Sequence, residues 1–127
     1  MNNLLAMGKA LYNHLDTNSS MPIYYQKAKQ NIKPPFCVIT FISATDDYTF
    51  NSSGMNADYM IKVVSDKLFP DTAIEDYGAI HTLLQDASIA VEDNVLLRIR
   101  RESVIQFQDP QDFWNVGGIY NLDIWKI

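Results

Sequence analysis

The chain has 127 residues, a length that suits one domain and leaves no room for two. With 47% hydrophobic and 20% charged residues, its composition excludes a disordered or fibrous chain. A formal net charge of −5 argues against a protein whose main task is to grip nucleic-acid phosphates, since that affinity comes from Lys and Arg.

The N-terminal residues lack the basic region and apolar stretch of a signal peptide, and no apolar segment approaches the ~20 residues that span a bilayer. The single cysteine, Cys37, excludes an intrachain disulfide and fits a reducing compartment. It lies in the apolar run 36–42, which favours a buried and unreactive thiol. We therefore expect a soluble intracellular protein without a membrane partner.

The first predicted element is a helix over residues 3–16, because its apolar residues fall on one stripe. A polar turn at 17–20 ends this helix. A short extended piece follows at 21–25, since proline disfavours helical angles in the residue before it. The helical stripe consists of Leu4, Met7, Leu11 and Leu15.

Two strands are predicted next. Residues 36–44 are β-branched and aromatic with apolar side chains on both faces, which is typical of a central strand. Residues 57–65 alternate between apolar and polar side chains and form the second strand. The polar residues 45–56 between them predict a long hairpin connection.

A second helix is predicted from residue 72 to about residue 87. Thr72 and Glu75 have the spacing of a capping box. Gly78 lowers the helix propensity by about 1 kcal/mol, which indicates either close packing or mere tolerance. The predicted buried stripe consists of Ile74, Tyr77, Ile80 or His81, Leu84 and Ala87.

The last two predicted strands cover residues 95–108 and 114–127. The alternation of the first slips at 98–102, which predicts a bulge or bend, and Gly117-Gly118 in the second predicts a bulge or a close backbone approach. The sequence thus predicts a single α+β domain over residues 1–127. Its sheet is mainly antiparallel and four-stranded, with two helices packed on one face, in the order α-β-β-α-β-β.

The sequence offers few groups for catalysis. His14 and His81 each fall on a predicted helix, where an isolated histidine is ordinarily a core or surface residue. No His or Cys spacing of a metal site occurs, and no Gly-rich phosphate loop follows a strand. We therefore predict no enzyme activity, no cofactor and no metal.

Three arginines form the most distinctive charged cluster. Strand alternation puts Arg98 and Arg100 on one face and Arg101 on the other. A phosphate site is one interpretation, although Glu102 and the overall acidity weaken it. The other two interpretations of these arginines are a solvated or salt-bridged face, and contacts with carboxylates of a neighbouring subunit.

Several segments, in their order along the chain, resemble a known family. Besides the two helices they are Pro22–Tyr24, Pro35–Ile39, Tyr59–Val64 and Trp114–Ile124. Over residues 4–127 the chain resembles the tail terminator, or tail-completion, proteins of bacteriophages. The resemblance rests on proline, apolar and aromatic positions and includes no catalytic motif.

The resemblance implies a structural subunit of a hexameric ring that caps the tail tube, stops its polymerisation and joins the tail to the head connector. The implied partners are further copies of the chain, the tail tube protein, the head-tail connector protein, and genome DNA that passes through without specific binding. The implied location is the neck of the virion, after assembly in the host cytoplasm. The alternatives are a head-completion or stopper neck protein, and a small α+β enzyme or nucleic-acid-binding module.

A ring needs a heterologous interface, in which one patch meets a different patch on the next copy. The segments 17–35 and 45–56 are natural places for it. The candidate interface residues are Tyr24, Tyr25, Tyr48, Phe50, Arg98, Arg100 and Arg101.

An excess of carboxylates around the hole of a ring would repel the DNA backbone and keep it from sticking. The carboxylates expected at the ring lumen or its rim are Asp46, Asp47, Glu92 and Asp93. The alternatives for these two acidic pairs are a catalytic carboxylate pair and the simple solvation of turns.

Overall fold

The computed structural model describes residues 3–26, 33–49, 52–85, 88–92 and 95–126. These residues form two helices and six strands. The elements are α1 (Asn3–Asn18), β1 (Ile23–Tyr25), β2 (Phe36–Thr49), β3 (Ser52–Ser65), α2 (Asp71–Leu84), β4 (Ser88–Glu92), β5 (Val95–Gln108) and β6 (Trp114–Lys126).

The strands form one sheet in the order β1-β2-β3-β6-β5-β4. Neighbouring strands are antiparallel, except that β1 runs parallel to β2. Helix α1 contacts both β1 and β4, which are the two edge strands. The sheet therefore curls as a half-barrel, and α1 closes the opening between its edges.

The predicted fold class, a mainly antiparallel four-stranded sheet in the order α-β-β-α-β-β, is wrong. The sheet has six strands, one of them parallel, in the order α-β-β-β-α-β-β-β. The strands that the predicted sheet lacks are β1, whose three residues lie within the predicted extended piece 21–25, and β4, with five residues. Both are too short to show a clear two-residue period.

The polar segment 45–56, expected to be a loop, is part of a long β-hairpin. Strands β2 and β3 pair from Phe36 opposite Val64 to Thr49 opposite Ser52, whereas β3 pairs with β6 only as far as Asn56. Residues 46–49 and 52–55 thus separate from β6, which continues beside β5 to Lys126, and form a two-stranded ribbon of four residue pairs, about 13 Å long. We call this ribbon the arm.

The main core lies between the inner face of the sheet and the two helices, which pack on that same face. It contains residues from every element except β4. A smaller cluster of Phe36, Val38 and Val64 lies on the outer face. The main core consists of Met7, Leu11, Leu15, Ile23, Cys37, Ile39, Ala57, Tyr59, Ile61, Val63, Ala73, Tyr77, Ile80, Leu84, Leu97, Ile99, Val116, Tyr120 and Leu122.

Helix α2 differs from its prediction by one residue at the start. It begins at Asp71 with Pro70 in the N-cap position and has no side-chain cap hydrogen bond, so the predicted capping box of Thr72 and Glu75 is wrong. Of the predicted stripe, Ile74 is 45% exposed, because Ala73, four residues before Tyr77, lies on the buried face in its place. The buried stripe consists of Ala73, Tyr77, Ile80 and Leu84.

Two predicted irregularities are confirmed. The register between β5 and β6 shifts between Arg101 and Ser103. The backbone at Gly118 is closely approached, because an added Cβ would lie 2.5 Å from Tyr77 Oη and 2.8 Å from the Ser103 carbonyl oxygen. A Cβ at Gly78 would meet nothing within 4 Å, so that glycine is merely tolerated in α2.

Candidate assembly surfaces

A ladder of polar side chains covers the outer face of the sheet at the base of the arm. Asn56 Nδ2 donates to Asn121 Oδ1 at 2.9 Å and also to Asp123 Oδ1. In return, Asn121 Nδ2 donates to Asn56 Oδ1 at 2.7 Å and to Asp58 Oδ1 at 3.1 Å. These bonds fix β3 against β6 at the point where the arm leaves the sheet. The sequence signal for this ladder is the alternation of Asn and Asp in both strands.

Two of the three candidate arginines share a face with this ladder. Arg98 lies opposite Asp123 and Arg100 opposite Asn121 in the register of β5 and β6, and both arginines are exposed. The resulting face carries charges of both signs, unlike a phosphate site. Their part in a subunit interface stays a prediction.

Arg101 lies on the other face, next to a buried hydrogen-bonded chain. Its Nη1 is 3.4 Å from Tyr77 Oη, Tyr77 Oη is 2.6 Å from Tyr120 Oη, and His81 Nδ1 is 2.9 Å from the same Tyr120 oxygen. Burial, followed by the hydrogen bond with Tyr77, raises the pKa of Tyr120, so the phenol stays neutral. These hydrogen bonds fasten α2 to β6. The only sign of them in the amino-acid sequence is a histidine on a predicted helix.

The two candidate tyrosines of β1 are engaged within their own chain. Tyr24 is half-buried and packs edge-on against Phe36 at a ring distance of 5.9 Å. Tyr25 Oη lies 3.2 Å from Tyr59 Oη, and the two rings are nearly perpendicular. Tyr25 is 37% exposed, so of this pair it offers the larger surface to another molecule.

The remaining candidates cluster at one end of the sheet. Asp46, Asp47 and Tyr48 belong to the β2 strand of the arm, and Glu92 is the last residue of β4. The connection from β4 to β5 lies at this same end, because β5 begins opposite the end of β6. The candidates Phe50 and Asp93 lie outside the described residues. We call this end the arm end.

A groove of about 520 Å³ runs between α1 and the edge strand β4. Successive residues of a strand point to opposite faces, so a groove that contacts two successive residues of β4 lies along the edge of that strand. In the described part of the chain, β4 pairs with β5 alone, and this edge therefore has no strand beside it. The groove is lined by Ala6, Lys9, Ala10 and His14 of α1, among others, and by Ile89 and Ala90 of β4.

The opposite end of the sheet presents two large apolar side chains. Leu68 is 81% exposed and Phe69 is 67% exposed, and both lie in the loop between β3 and α2. The loop is held by a hydrogen bond from Trp114 Nε1 to the Leu68 carbonyl at 3.1 Å and one from the Lys67 N–H to Ser65 Oγ at 3.3 Å. We call these two side chains the apolar tip.

The cysteine and His14 are both engaged inside the fold. Burial raises the pKa of the Cys37 thiol to about 12, which keeps it protonated and unreactive. His14 Nε2 is 2.8 Å from the Leu83 carbonyl and thereby joins the two helices. Across the described ranges, no three His, Cys, Asp or Glu side chains gather as metal ligands, and neither helix is long and apolar enough to cross a membrane.

Comparison with known proteins places these surfaces in context. A family model described as "Tail completion protein gp17" matches residues 6–124. A chain from the virion of a native gene transfer agent particle shares the fold with a TM-score of 0.80 and 15% identity, over 97% of each chain. A second solved structure has a TM-score of 0.55 at 13% identity, over 98% of this chain and 94% of that one. No curated protein matches the chain.

The family match extends over nearly the whole chain, whereas the two structural matches show the fold alone at these identities. The family consists of structural proteins of phage tails and is not an enzyme family. The resemblance seen in the sequence and the expected location in the tail and neck of the virion are thereby confirmed. The chain belongs to the gp17 family of tail completion proteins.

Proposed function

We propose that this tail completion protein is the terminator subunit of the tail. Six copies close into a ring that caps the tail tube, stops its polymerisation and joins the tail to the head connector. The arm is the observation that carries the proposal. Its four residue pairs have no third strand beside them in the described residues, and a lone two-stranded ribbon is marginally stable in water. The arm therefore gains stability from another chain, and a ring provides an identical neighbour for every copy.

The two ends of the domain differ in chemistry, as a subunit between two axial partners requires. The apolar tip exposes far more of Leu68 and Phe69 than a folded monomer needs, and such exposure marks an interaction site. We assign this tip to the contact with the tail tube. The arm end then faces the connector.

The acidic candidates belong to the same proposal. Asp46, Asp47 and Glu92 lie at the arm end, and Asp93 follows Glu92 in the chain. In the proposed ring these residues surround the hole through which DNA passes. Repeated sixfold, their carboxylates repel the phosphate backbone and keep the passage free of binding.

The proposal is tested by adding the purified protein to growing tail tubes and imaging them by negative-stain electron microscopy. We expect a ring at one end of each tube and a halt in elongation at the moment of addition. Separate incubation with the purified portal distinguishes the alternative. Binding to the portal without binding to tubes would identify a head-completion or stopper protein and contradict the terminator function.

A further inference from the structure

The groove between α1 and β4 has the geometry by which an extended segment adds to a sheet. A helix forms one wall, and the other is the edge of β4 that has no strand beside it in the described part of the chain. Ala6 and Ala10 line the helical wall, and their small side chains leave room for a backbone beside β4. The groove thus suits a strand.

The arm of the same protein supplies a free strand edge of matching length. Beyond Asn56 the β3 side of the arm has no partner strand among the described residues. This edge consists of Ser52–Met55, four residues with the sequence Ser-Ser-Gly-Met, and β4 has five. Apart from the methionine these residues are small, and they permit a close approach of two backbones.

Charge favours the same pairing. The arm contains Asp46 and Asp47 and no Lys or Arg. Among the described residues that line the groove, Lys9 carries a positive charge and none is Asp or Glu. An acidic segment is therefore attracted to this groove and steered toward it from a distance.

The occupant comes from a second copy of the chain. Within one copy, β6 and β5 lie between β3 and β4, so the arm of that copy leaves the sheet two strands away from the groove. We infer that Ser52–Met55 of each arm adds as an extra strand to the free edge of β4 in the next copy. The two patches are different, so the contact is heterologous and repeats around a ring. This inference rests on the proposed ring and identifies its subunit interface.

The test is a cross-link in assembled tails. Tails are assembled with a chain that carries Ser53→Cys in the arm and Ala90→Cys on β4, and are treated with a short bifunctional maleimide reagent, which tolerates a register shift of one residue. We expect a ladder of oligomers that ends at the size of the closed ring. The matched control combines Ser53→Cys with Thr82→Cys, which is exposed on α2 away from the groove, and should give no ladder.

A second variant tests the charge. Lys9 is exposed on α1, so Lys9→Glu should leave the fold intact. It should slow cross-linking of the Ser53–Ala90 cysteine pair about fivefold in low salt and much less in high salt.

The outcomes separate the inference from the proposed function. Tails of normal length that carry the chain but give no ladder, or a ladder equal to that of the control pair, would overturn the inference and leave the terminator function standing. Tails that lack the chain altogether would overturn both. Cross-links from the arm to tube or connector protein, in place of a second copy, would also show the inference to be wrong.

Discussion

The contact of Gly118 with Tyr77 predicts a large loss of stability from one added methyl group. In Gly118→Ala the new Cβ would lie 2.5 Å from Tyr77 Oη and 2.8 Å from the Ser103 carbonyl oxygen. Both distances are shorter than real Cβ contacts. The carbonyl belongs to the backbone of β5 at its bulge, so the strand has to adjust there and the side chain of Tyr77 has to move as well.

The magnitude follows from what that movement breaks. Tyr77 is buried, and its hydroxyl makes a 2.6 Å hydrogen bond with the buried hydroxyl of Tyr120. Overpacking a core costs about 1–3 kcal/mol, and loss of a buried hydrogen-bond partner costs about 1–3 kcal/mol. Alanine has less conformational freedom than glycine in the unfolded chain, which recovers a part of this loss. We therefore expect Gly118→Ala to lower the free energy of unfolding by about 2–4 kcal/mol.

Urea denaturation followed by circular dichroism measures this change, with a second glycine as the matched control. At an m-value of about 2 kcal/mol/M, the midpoint for Gly118→Ala should fall by about 1–2 M. Gly78→Ala, in open space on the exposed side of α2, should instead raise the free energy of unfolding by about 0.5–1 kcal/mol.

A double-mutant cycle identifies the cause. Tyr77→Phe removes the hydroxyl that the new Cβ would meet, and alone it should cost about 1 kcal/mol. In the Gly118→Ala background, Tyr77→Phe should cost less than it does alone or should even raise the free energy of unfolding. The coupling energy between the two substitutions should exceed about 1 kcal/mol. Additive effects of the two substitutions, or a loss below about 0.5 kcal/mol for Gly118→Ala, would refute the reasoning.

Further predictions concern the surfaces and the thiol. Leu68→Ser with Phe69→Ser should leave the fold intact, because both side chains are exposed, and should abolish capping in the tube assay. Asp46→Lys with Asp47→Lys should slow DNA ejection in an infection assay, more in low salt than in high salt, as screening weakens the new attraction to phosphate. Cys37, buried with a raised pKa, should resist a thiol-specific reagent at pH 8 until the protein is unfolded by denaturant.

Matched controls separate these effects from general damage. Ile42→Ser removes another exposed apolar side chain, on β2 and outside the tip, and should leave capping unchanged; equal loss of capping would argue against the tip. The control for the charge reversal in the arm is Glu102→Lys, which reverses an exposed charge on β5, away from the arm end. Normal ejection by the Asp46 and Asp47 variant at every salt concentration would contradict the lumen assignment. Fast labelling of the native protein would contradict a buried thiol.

The elements that could be predicted from sequence are those that bury a face. The strand at Phe36–Thr49 begins with a continuous apolar run, and α1 has a clear helical stripe, so both are visible as periodicity. The bulge of β5 and the close approach at Gly118 are visible as departures from that periodicity. The arm has no such signal, because backbone pairing holds its polar residues in strands. The parallel β1 depends on contacts between distant segments.

The candidate surfaces were predictable to a smaller degree, since an interface is a property of two patches. Acidic pairs and arginines can be found in the sequence as clusters, but the sheet decides which share a face. It places Arg98 and Arg100 beside the polar ladder and Arg101 beside Tyr77. The groove could not be predicted from the sequence, because it forms where Ala6 and Ala10 meet a strand some eighty residues later in the chain.

The position of β6 has a consequence for the order of synthesis. This strand, Trp114–Lys126, joins β3 to β5 in the middle of the sheet, yet the ribosome makes it after every other described element. Until it emerges, β1-β2-β3 and β5-β4 are separate pieces with no strand between them, and the polar ladder at the base of the arm lacks half of its residues. A chain cut short before residue 114 therefore has neither a fixed arm nor a closed half-barrel.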